Sequence, residues 1–548
     1  MKRTRFLLLL LILLPLAGCN YPRNSPPIFI PPPAYATPTF GPTPTSPPTT
    51  VPTETSTTTA IGNGEIFPSP TLTATDAPTN TPLPTPTALP TNTPVPTPSE
   101  SRNPHMYYAQ AGDTLHVVAT HFGVLAESIQ SEEPIPEDSF IDPGQLLIIP
   151  HVLINTTSNK HLLPDSEFVY SPAIRDPDFP SDVVAYVENA GGYLSTYRDY
   201  LTTTKISGGE IVAKVAENNS INPFLLLALL EYQSGWVTKD YSELNLKQLK
   251  YPLGHRDYEE QGLVNQLRWA VNQLSIGYYG WREGRLTEIR LSTPQDTPQD
   301  ITARINPHLN AGTAALHYYF SQIYDSDEWI QALNHDSGFP ALYREMFGDW
   351  EPRVEKYEPL FPPHLTQPAM ELPFLAGSTW NYTGGPHGAW EREGSRSAID
   401  FGPTGFAGGC EKSYAYVTAS MSGTVVRAED GVVTIDHDED GYEQTGWVLL
   451  YLHIAEAGRR VEAGDYVKAG DKLGHPSCEG GRATGTHVHM ARKYNGEWMA
   501  ANGPIPWVLG GWTVHAGDKP YEGSLTKDGQ TVIASPFSAP CSIIRREK

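Results

Sequence analysis

A pair of histidines near the C-terminus constrains this chain more than any other feature. His487 and His489 stand in the segment Thr-Gly-Thr-His-Val-His, and residues two apart on an extended strand point to the same face of a sheet. His387 and Asp400 lie upstream, in the segments Gly-Gly-Pro-His and Ser-Ala-Ile-Asp-Phe. Two histidines and a carboxylate around an open fourth position are the ligands of a catalytic zinc ion rather than a closed structural site. The pattern therefore predicts a metal centre built on β-strands.

These residues belong to a set of short motifs spread over residues 370–525. The set comprises Gly-Gly-Pro-His ending at His387, Ser-Ala-Ile-Asp-Phe around Asp400, Tyr-Leu-His ending at His453, Cys-Glu-Gly-Gly from Cys478, and Thr-Gly-Thr-His-Val-His ending at His489. Together they resemble the beta-lytic branch of the lysostaphin-type zinc metallopeptidases, which cut peptide bonds in peptidoglycan. The resemblance implies an antiparallel β domain with a metal-containing groove.

The resemblance also implies a role for each site residue. The implied zinc ligands are His387, Asp400 and His489. The commoner lysostaphin-type pattern has a ligand histidine four residues before the aspartate, where this chain has Arg396. The thirteen-residue spacing between His387 and Asp400 is that of the beta-lytic branch, so the ligand is assigned to His387.

Three further residues are implied to take part in catalysis. His453 and His487 would take the proton of a water molecule and stabilise the oxyanion. Tyr521 stands near the place where the beta-lytic branch keeps a catalytic tyrosine. For Tyr521 the alternative is an exposed loop aromatic.

The cysteines outside the N-terminal region lie in a compartment that permits disulfides. Cys410 follows the Asp400 segment and Cys478 lies in the motif that leads to His487. A Cys410–Cys478 disulfide would clamp these two loops together, and we favour it. That pairing leaves Cys541 odd, and the other pairings remain open.

The N-terminus has the features of a lipoprotein signal peptide, residues 1–19. A basic region precedes the apolar run Phe6 to Leu14, which is short for a membrane-spanning helix, and Leu-Ala-Gly-Cys ending at Cys19 is typical of a lipobox. Cys19 is the predicted lipidation site; the alternative is an uncleaved anchor. Residues 20–104 contain 23 Pro and 21 Thr, a composition that predicts a disordered stalk.

Two regions separate the stalk from the C-terminal domain. Residues 105–151 resemble one LysM module, a small α+β fold that binds N-acetylglucosamine-containing glycans. Residues 152–365 are predicted to be all-α and are similar to lysozyme-like lytic transglycosylases around Asn222–Trp236. That family has a catalytic glutamate where this chain has Gln233, and Glu231 is two positions away, so the domain is predicted to be non-catalytic. The alternatives are an active domain using Glu231 and an unrelated helical spacer.

Residues 366–548 form the predicted zinc metalloendopeptidase domain, in which short strands are punctuated by glycine. Asp436, Asp438 and Asp440 have the alternate spacing of calcium ligands, but position 12 of that loop is Trp447 rather than glutamate. An acidic hairpin tip is the favoured interpretation, with calcium as the alternative.

The whole chain is therefore predicted to be multidomain, exported and anchored to a membrane by lipid, with peptidoglycan as its partner. Its net charge of −23 argues against nucleic acid as a partner. The predicted activity is zinc-dependent hydrolysis of peptide bonds in peptidoglycan stem peptides or cross-bridges, with the LysM module as targeting element. The rival functions are a non-enzymatic cell-wall-binding protein or amidase activator, and a glycan-cleaving lytic transglycosylase.

Overall fold

The computed structural model describes residues 100–548 except 102, 202–203, 295–299 and 406–407. The signal peptide, Cys19 and nearly all of the predicted stalk lie outside the described residues. Strand β1 (Glu100–Ser101) pairs with Val152–Leu153, which corrects the expectation of disorder up to residue 104, because this segment finds backbone hydrogen-bonding partners. Within the described ranges, no helix combines the length and apolarity needed to cross a membrane.

A small module occupies residues 105–153. Its elements are β2 (His105–Tyr108), α1 (Leu115–Phe122), β3 (Leu146–Ile149) and β4 (Val152–Leu153). Strands β2 and β3 pair antiparallel and enclose a core of their own with α1. The module therefore combines short β-strands with one α-helix and a single 3₁₀ turn, Ala126–Ser128.

The next region, to residue 365, is mainly helical. Its helices are α2 (Asp165–Phe168), α3 (Val183–Ala190), α4 (Tyr193–Thr196), α5 (Gly208–Asn219), α6 (Pro223–Ser234), α7 (Leu246–Lys250), α8 (Leu263–Arg282), α9 (Ala311–Ser321), α10 (Ser326–Ala332), α11 (Phe339–Phe347) and α12 (Glu351–Tyr357). The Asn222-Pro223 pair in the sequence predicts a helix start, and helix α6 begins there. The Asn222 side chain accepts a hydrogen bond from the Phe224 backbone N–H (2.9 Å), and Pro223 takes the first helical position.

The all-α prediction for residues 152–365 is wrong in two places. The region contains two antiparallel hairpins, β5 (Arg198–Tyr200) with β6 (Lys205–Ser207), and β7 (Glu288–Ser292) with β8 (Asp300–Arg304). In β7 the buried Ile289 and Leu291 alternate with exposed residues, which is the two-residue period of a strand rather than the helical period.

The C-terminal region is antiparallel β, as predicted. Its strands are β9 (Thr379–His387), β10 (Ala398–Pro403), β11 (Val417–Thr418), β12 (Gly423–Glu429), β13 (Val432–Asp436), β14 (Trp447–Leu452), β15 (Tyr466–Val467), β16 (Lys472–Gly474), β17 (Val488–Tyr494), β18 (Glu497–Trp498), β19 (Val508–Leu509), β20 (Trp512–Ala516), β21 (Gly523–Lys527), β22 (Gln530–Ile533) and β23 (Ile543–Arg545). The main sheet has the order β15-β12-β13-β14-β17-β10-β9-β23, with β18 beside β17. Strands β19 to β22 form a second sheet.

The two faces of the main sheet bury different partners. Val488 and Met490 of β17 point into a core shared with the second sheet, whereas Ala491 belongs to the same hydrophobic cluster as helix α6. Ala398 of β10 joins this helical cluster as well. Because side chains alternate along a strand, His489 shares its face of the sheet with Ala491. The helical region therefore packs on the face of the sheet that carries His489.

Candidate metal centre

Strand β9 presents His387 through a distortion of its pairing with β10. Ala398 of β10 lies opposite His387 and Asp400 lies opposite Gly384, so β9 carries one residue more than β10 over this stretch. A β-bulge of this kind re-aims a side chain. A Cβ atom at Gly384 would overlap the Asp400 carboxylate, so glycine is required there. The Gly-Gly-Pro-His motif thus makes room for Asp400 and directs His387 toward it.

Asp400 and His489 are direct cross-strand partners on β10 and β17. The Asp400 Oδ1 atom lies 3.2 Å from His489 Nδ1 and 3.4 Å from His387 Nε2. The two imidazoles approach each other to 3.0 Å between His387 Nε2 and His489 Nδ1. All three side chains are buried, and their candidate ligand atoms lie within 4.8 Å of one another. The structure therefore brings together the three predicted ligands.

Backbone carbonyls fix the orientation of both ligand imidazoles. His387 Nδ1 lies 2.8 Å from the Gly385 carbonyl oxygen, and His489 Nε2 lies 2.8 Å from that of Ala389. A carbonyl oxygen can only accept, so these two nitrogens carry the ring protons. The other nitrogen of each ring then points toward Asp400 with its lone pair. Such outer contacts are typical of metal-binding histidines.

The site has the chemistry that a metal ion requires. Asp400 Oδ1 is buried without a hydrogen-bond partner, next to two imidazole nitrogens that present lone pairs. Burial by itself raises the pKa of Asp400, but His387 and His487 outweigh it and hold that pKa well below its usual range. Burial also lowers the pKa of His489. An ionised carboxylate with two imidazoles is a donor set that suits a divalent cation such as zinc.

The two predicted catalytic histidines lie beside this donor set. Their ring centroids are 4.5 Å apart, and His487 Nε2 lies 3.8 Å from Asp400 Oδ1. His487 Nδ1 faces the Gly485 carbonyl at 2.7 Å, and His453 Nδ1 faces that of Glu479 at 2.8 Å. Burial, with the neighbouring His487 and His489, lowers the pKa of His453 to about 3. The His453 ring thus keeps one unprotonated nitrogen available as a proton acceptor.

Tyr521 also reaches the site. Its ring stacks on the His387 imidazole with the centroids 4.0 Å apart, and 54% of the residue remains exposed. The Tyr521 carbonyl accepts a hydrogen bond from the Gly385 N–H (2.8 Å), and its own N–H donates to the Pro386 carbonyl (3.2 Å). Burial and the Asp400 charge raise the pKa of the Tyr521 hydroxyl, so the phenol stays protonated. Tyr521 and His453 both have positive φ, 70° and 68°, which is the kind of backbone strain that clusters at functional sites.

The Cys410–Cys478 disulfide is present, as predicted, with the two Cα atoms 5.7 Å apart. An isolated β-bridge between Gly409 and Gly485 joins the same two loops close to His487. The described residues contain no free cysteine, so the expectation of an odd Cys541 is wrong.

The acidic hairpin between β13 and β14 brings Asp436, Asp438 and Asp440 together, with ligand atoms within 4.8 Å of one another. Asp436 accepts hydrogen bonds from the backbone N–H groups of Asp438 (3.2 Å) and Gly441 (2.9 Å). These hydrogen bonds stabilise the tip of the hairpin. They give no support for calcium binding.

In the helical region, the side chains of Glu231 and Gln233 both accept hydrogen bonds. Glu231 accepts hydrogen bonds from the backbone N–H groups of Val237 and Thr238 and from the Thr238 hydroxyl (3.0, 3.1 and 2.6 Å). Both Glu231 oxygens therefore accept hydrogen bonds from the residues just beyond α6. Gln233 Oε1 accepts a hydrogen bond from the Tyr324 hydroxyl at 2.8 Å.

Sequence reasoning missed the four carbonyls that orient the histidines, those of Gly385, Ala389, Glu479 and Gly485. Gly385 and Gly485 each stand two residues before the histidine they orient, so a local signal existed. Ala389 and Glu479 reach their histidines only through the tertiary fold.

An antiparallel β domain with a buried His-Asp-His donor set beside two further histidines is typical of a metallopeptidase. Comparison with known protein families agrees. Residues 407–501 match Peptidase family M23, and residues 161–360 match the LasA N-terminal domain. The C-terminal region is thus similar to M23 peptidases, and the helical region is similar to the N-terminal domain of LasA.

Individual relatives match different shares of the chain. Protease LasA of Pseudomonas aeruginosa (strain UCBPP-PA14) is 27% identical over 326 residues, covering 55% of this chain and 69% of LasA. Beta-lytic metalloendopeptidase of Achromobacter lyticus is 25% identical over 183 residues, covering 31% of this chain and 46% of the relative. Among solved structures, the M23 metalloprotease pseudoalterin from the deep sea is 23% identical, with a TM-score of 0.26, covering 31% of this chain and 96% of that one. The LysM and lysozyme-like interpretations stay predictions.

Proposed function

We propose that this chain is an exported, lipid-anchored zinc metalloendopeptidase that hydrolyses peptide bonds in peptidoglycan. The observation that carries the proposal is the buried donor set of His387, Asp400 and His489, in which an ionised oxygen without a hydrogen-bond partner meets two oriented imidazole nitrogens. The match to peptidase family M23 supports the peptidase assignment.

The ligand residues would hold one zinc ion through His387 Nε2, Asp400 Oδ1 and His489 Nδ1. When bound, zinc supplies Lewis acidity toward a carbonyl oxygen and makes water more acidic. The Gly385 and Ala389 carbonyls keep the two imidazoles in the ligating tautomer.

Proton transfer falls to His453 and His487. Both are positioned to accept a proton at Nε2, because their Nδ1 atoms donate to carbonyls. The low pKa of His453 keeps its ring neutral at the outset. Once protonated, either ring can donate a hydrogen bond toward the oxyanion of the tetrahedral intermediate. The Tyr521 hydroxyl is a second donor for that oxygen, since its ring is held against His387.

Targeting and anchoring complete the proposal. The 105–151 module would bind peptidoglycan glycan, and Cys19 would carry the lipid that ties the chain to a membrane, with the Pro/Thr-rich stalk providing reach into the wall. Both assignments rest on sequence motifs. The helical region would contribute binding or spacing, since the oxygens of Glu231 already accept three hydrogen bonds.

Two rival functions have less support. A non-enzymatic wall-binding protein or amidase activator would not need a complete, oriented ligand set with two further histidines beside it. A glycan-cleaving lytic transglycosylase would need a free carboxyl group near Gln233, and Glu231 is engaged with the backbone of residues 237 and 238.

The test is digestion of purified peptidoglycan of known cross-bridge chemistry by the full chain, with mass analysis of the soluble products. We expect peptides with new amino termini, and their yield should vanish with a zinc chelator. Release of anhydro-muropeptides that survives chelation and is abolished by Glu231→Gln would instead assign glycan cleavage to the helical region.

A further inference from the structure

The loop between β9 and β10, residues 388–397, is connected to all three candidate ligands. It begins directly after His387 and leads into the strand that carries Asp400. Through the Ala389 carbonyl it also orients His489, at 2.8 Å from Nε2. A displacement of this loop would therefore disturb the whole donor set.

The helical region holds this loop through residues in and just after α8. Arg285 donates a hydrogen bond to the Gly394 carbonyl (3.1 Å), and the Asn272 side-chain oxygen accepts one from the Glu393 N–H (3.3 Å). At Gly394, φ is +109° and an added Cβ would come within 2.9 Å of the Ser275 Cβ, so the loop backbone lies directly against α8.

The start of the loop is embedded in the helical core. Ala389 is 5% exposed and belongs to the hydrophobic cluster of the helical region, and Trp390 packs against that cluster. The Ala389 carbonyl is thus fixed between His489 on one side and helical side chains on the other. The far end of the loop is held within the β domain, since the Arg396 carbonyl accepts from the Ala501 N–H at 2.9 Å.

We propose that the helical region is a positioning element of the metal site, and that Arg285 and Asn272 act through the β9–β10 loop to keep His489 oriented for zinc. This inference rests on the proposed function. It assigns to the helical region a part in metal binding, separate from any role in binding the wall. Arg285 and Asn272 touch neither metal nor substrate, so they are positioning residues.

The experiment compares zinc affinities of full-length variants by competition with a chromophoric chelator. Direct partners of metal ligands typically change metal affinity by about 10–100-fold. Arg285 and Asn272 act one step further away, so Arg285→Ala and Asn272→Ala should each weaken zinc binding by about 3–10-fold. Arg285→Lys keeps a donor for the Gly394 carbonyl and should recover part of the loss. Arg290→Ala, which removes an exposed arginine of β7, is the control and should leave zinc affinity unchanged.

Activity at two zinc levels separates positioning from general damage. With saturating zinc, the Arg285→Ala protein should cleave peptide at close to the wild-type kcat, and at limiting zinc it should lose activity in proportion to occupancy. Asn272→Ala, a milder change, keeps the test valid if Arg285→Ala fails to fold. Wild-type zinc affinity in folded Arg285→Ala and Asn272→Ala proteins would overturn the inference and leave the proposed function standing. A wild-type chain that binds no zinc would overturn both.

Discussion

Asp400 and His489 stand directly opposite each other on β10 and β17, with Asp400 Oδ1 3.2 Å from His489 Nδ1. Cross-strand pairing places one carboxylate and one imidazole in contact without any help from a loop. The third candidate ligand, His387, reaches the same point because the bulge in β9 re-aims it. The donor set is therefore a property of three neighbouring strands, which is a rigid support for a metal ion.

His387→Ala should abolish stoichiometric zinc binding. The wild-type chain should contain about one zinc per molecule, since three protein ligands with an open position form a catalytic site. Metal analysis of purified full-length protein measures this directly. His364→Ala, a change at an exposed histidine, is the control and should keep its zinc. Full zinc retention in the His387 variant would show that another residue, and not His387, is the ligand.

His453→Ala and His487→Ala should leave zinc in place and slow peptide-bond cleavage by about 10²–10⁴-fold, the usual contribution of a positioned proton acceptor. The relevant measurements are kcat on a defined peptide and the zinc content of the same preparation. Wild-type turnover in either variant excludes that histidine from the mechanism. Loss of zinc from the His487 variant would show that His487, rather than His489, is the ligand on β17.

Tyr521→Phe keeps the ring that stacks on His387 and removes only the hydroxyl. If that hydroxyl stabilises the oxyanion, kcat should fall by about 10–10³-fold while zinc affinity stays the same. Tyr521→Ala removes the stacking contact as well and should also weaken zinc binding. An unchanged kcat in Tyr521→Phe would show that Tyr521 is an exposed loop aromatic whose hydroxyl takes no part in catalysis.

Gly384→Ala should damage the site although glycine has no side chain to lose. The new Cβ would overlap the Asp400 carboxylate, so either the carboxylate or β9 must shift. We expect a loss of stability of about 1–3 kcal/mol and weaker zinc binding. Thermal unfolding and zinc competition report the two effects. Gly503→Ala, whose new Cβ would meet the Ala500 Cβ at 3.1 Å, is the milder control. Equal zinc affinity in both variants would show that Asp400 tolerates displacement.

The metal centre was open to prediction because its residues sit in short motifs whose strand geometry is local. Two-residue alternation places His487 and His489 on one face, and the Gly-Gly-Pro-His motif carries part of the resemblance that identified His387. The Cys410–Cys478 pairing followed from the positions of two site loops. Sequence patterns also indicated the strands of the C-terminal region and the start of α6 at Asn222.

What sequence patterns did not predict depends on contacts between distant segments. The Ala389 carbonyl orients His489 only because the β9–β10 loop lies against α8, and no local pattern announces that contact. The β7–β8 hairpin was missed although Ile289 and Leu291 alternate with polar residues. The reason is that the surrounding sequence has a helical pattern. The packing of the helical region on the ligand-bearing face of the sheet likewise required the tertiary structure.

The most direct test of the central claim is peptidoglycan digestion by the full chain in ¹⁸O-labelled water, with mass analysis of the products. Hydrolysis of a peptide bond adds one water molecule, so each new carboxyl terminus should carry a single ¹⁸O and each cleavage should create a new amino group. Chelation should stop the reaction, and added zinc should restore it. Products that are unlabelled anhydro sugars, or labelled peptides formed equally well by the His387→Ala chain, would contradict a zinc-dependent endopeptidase.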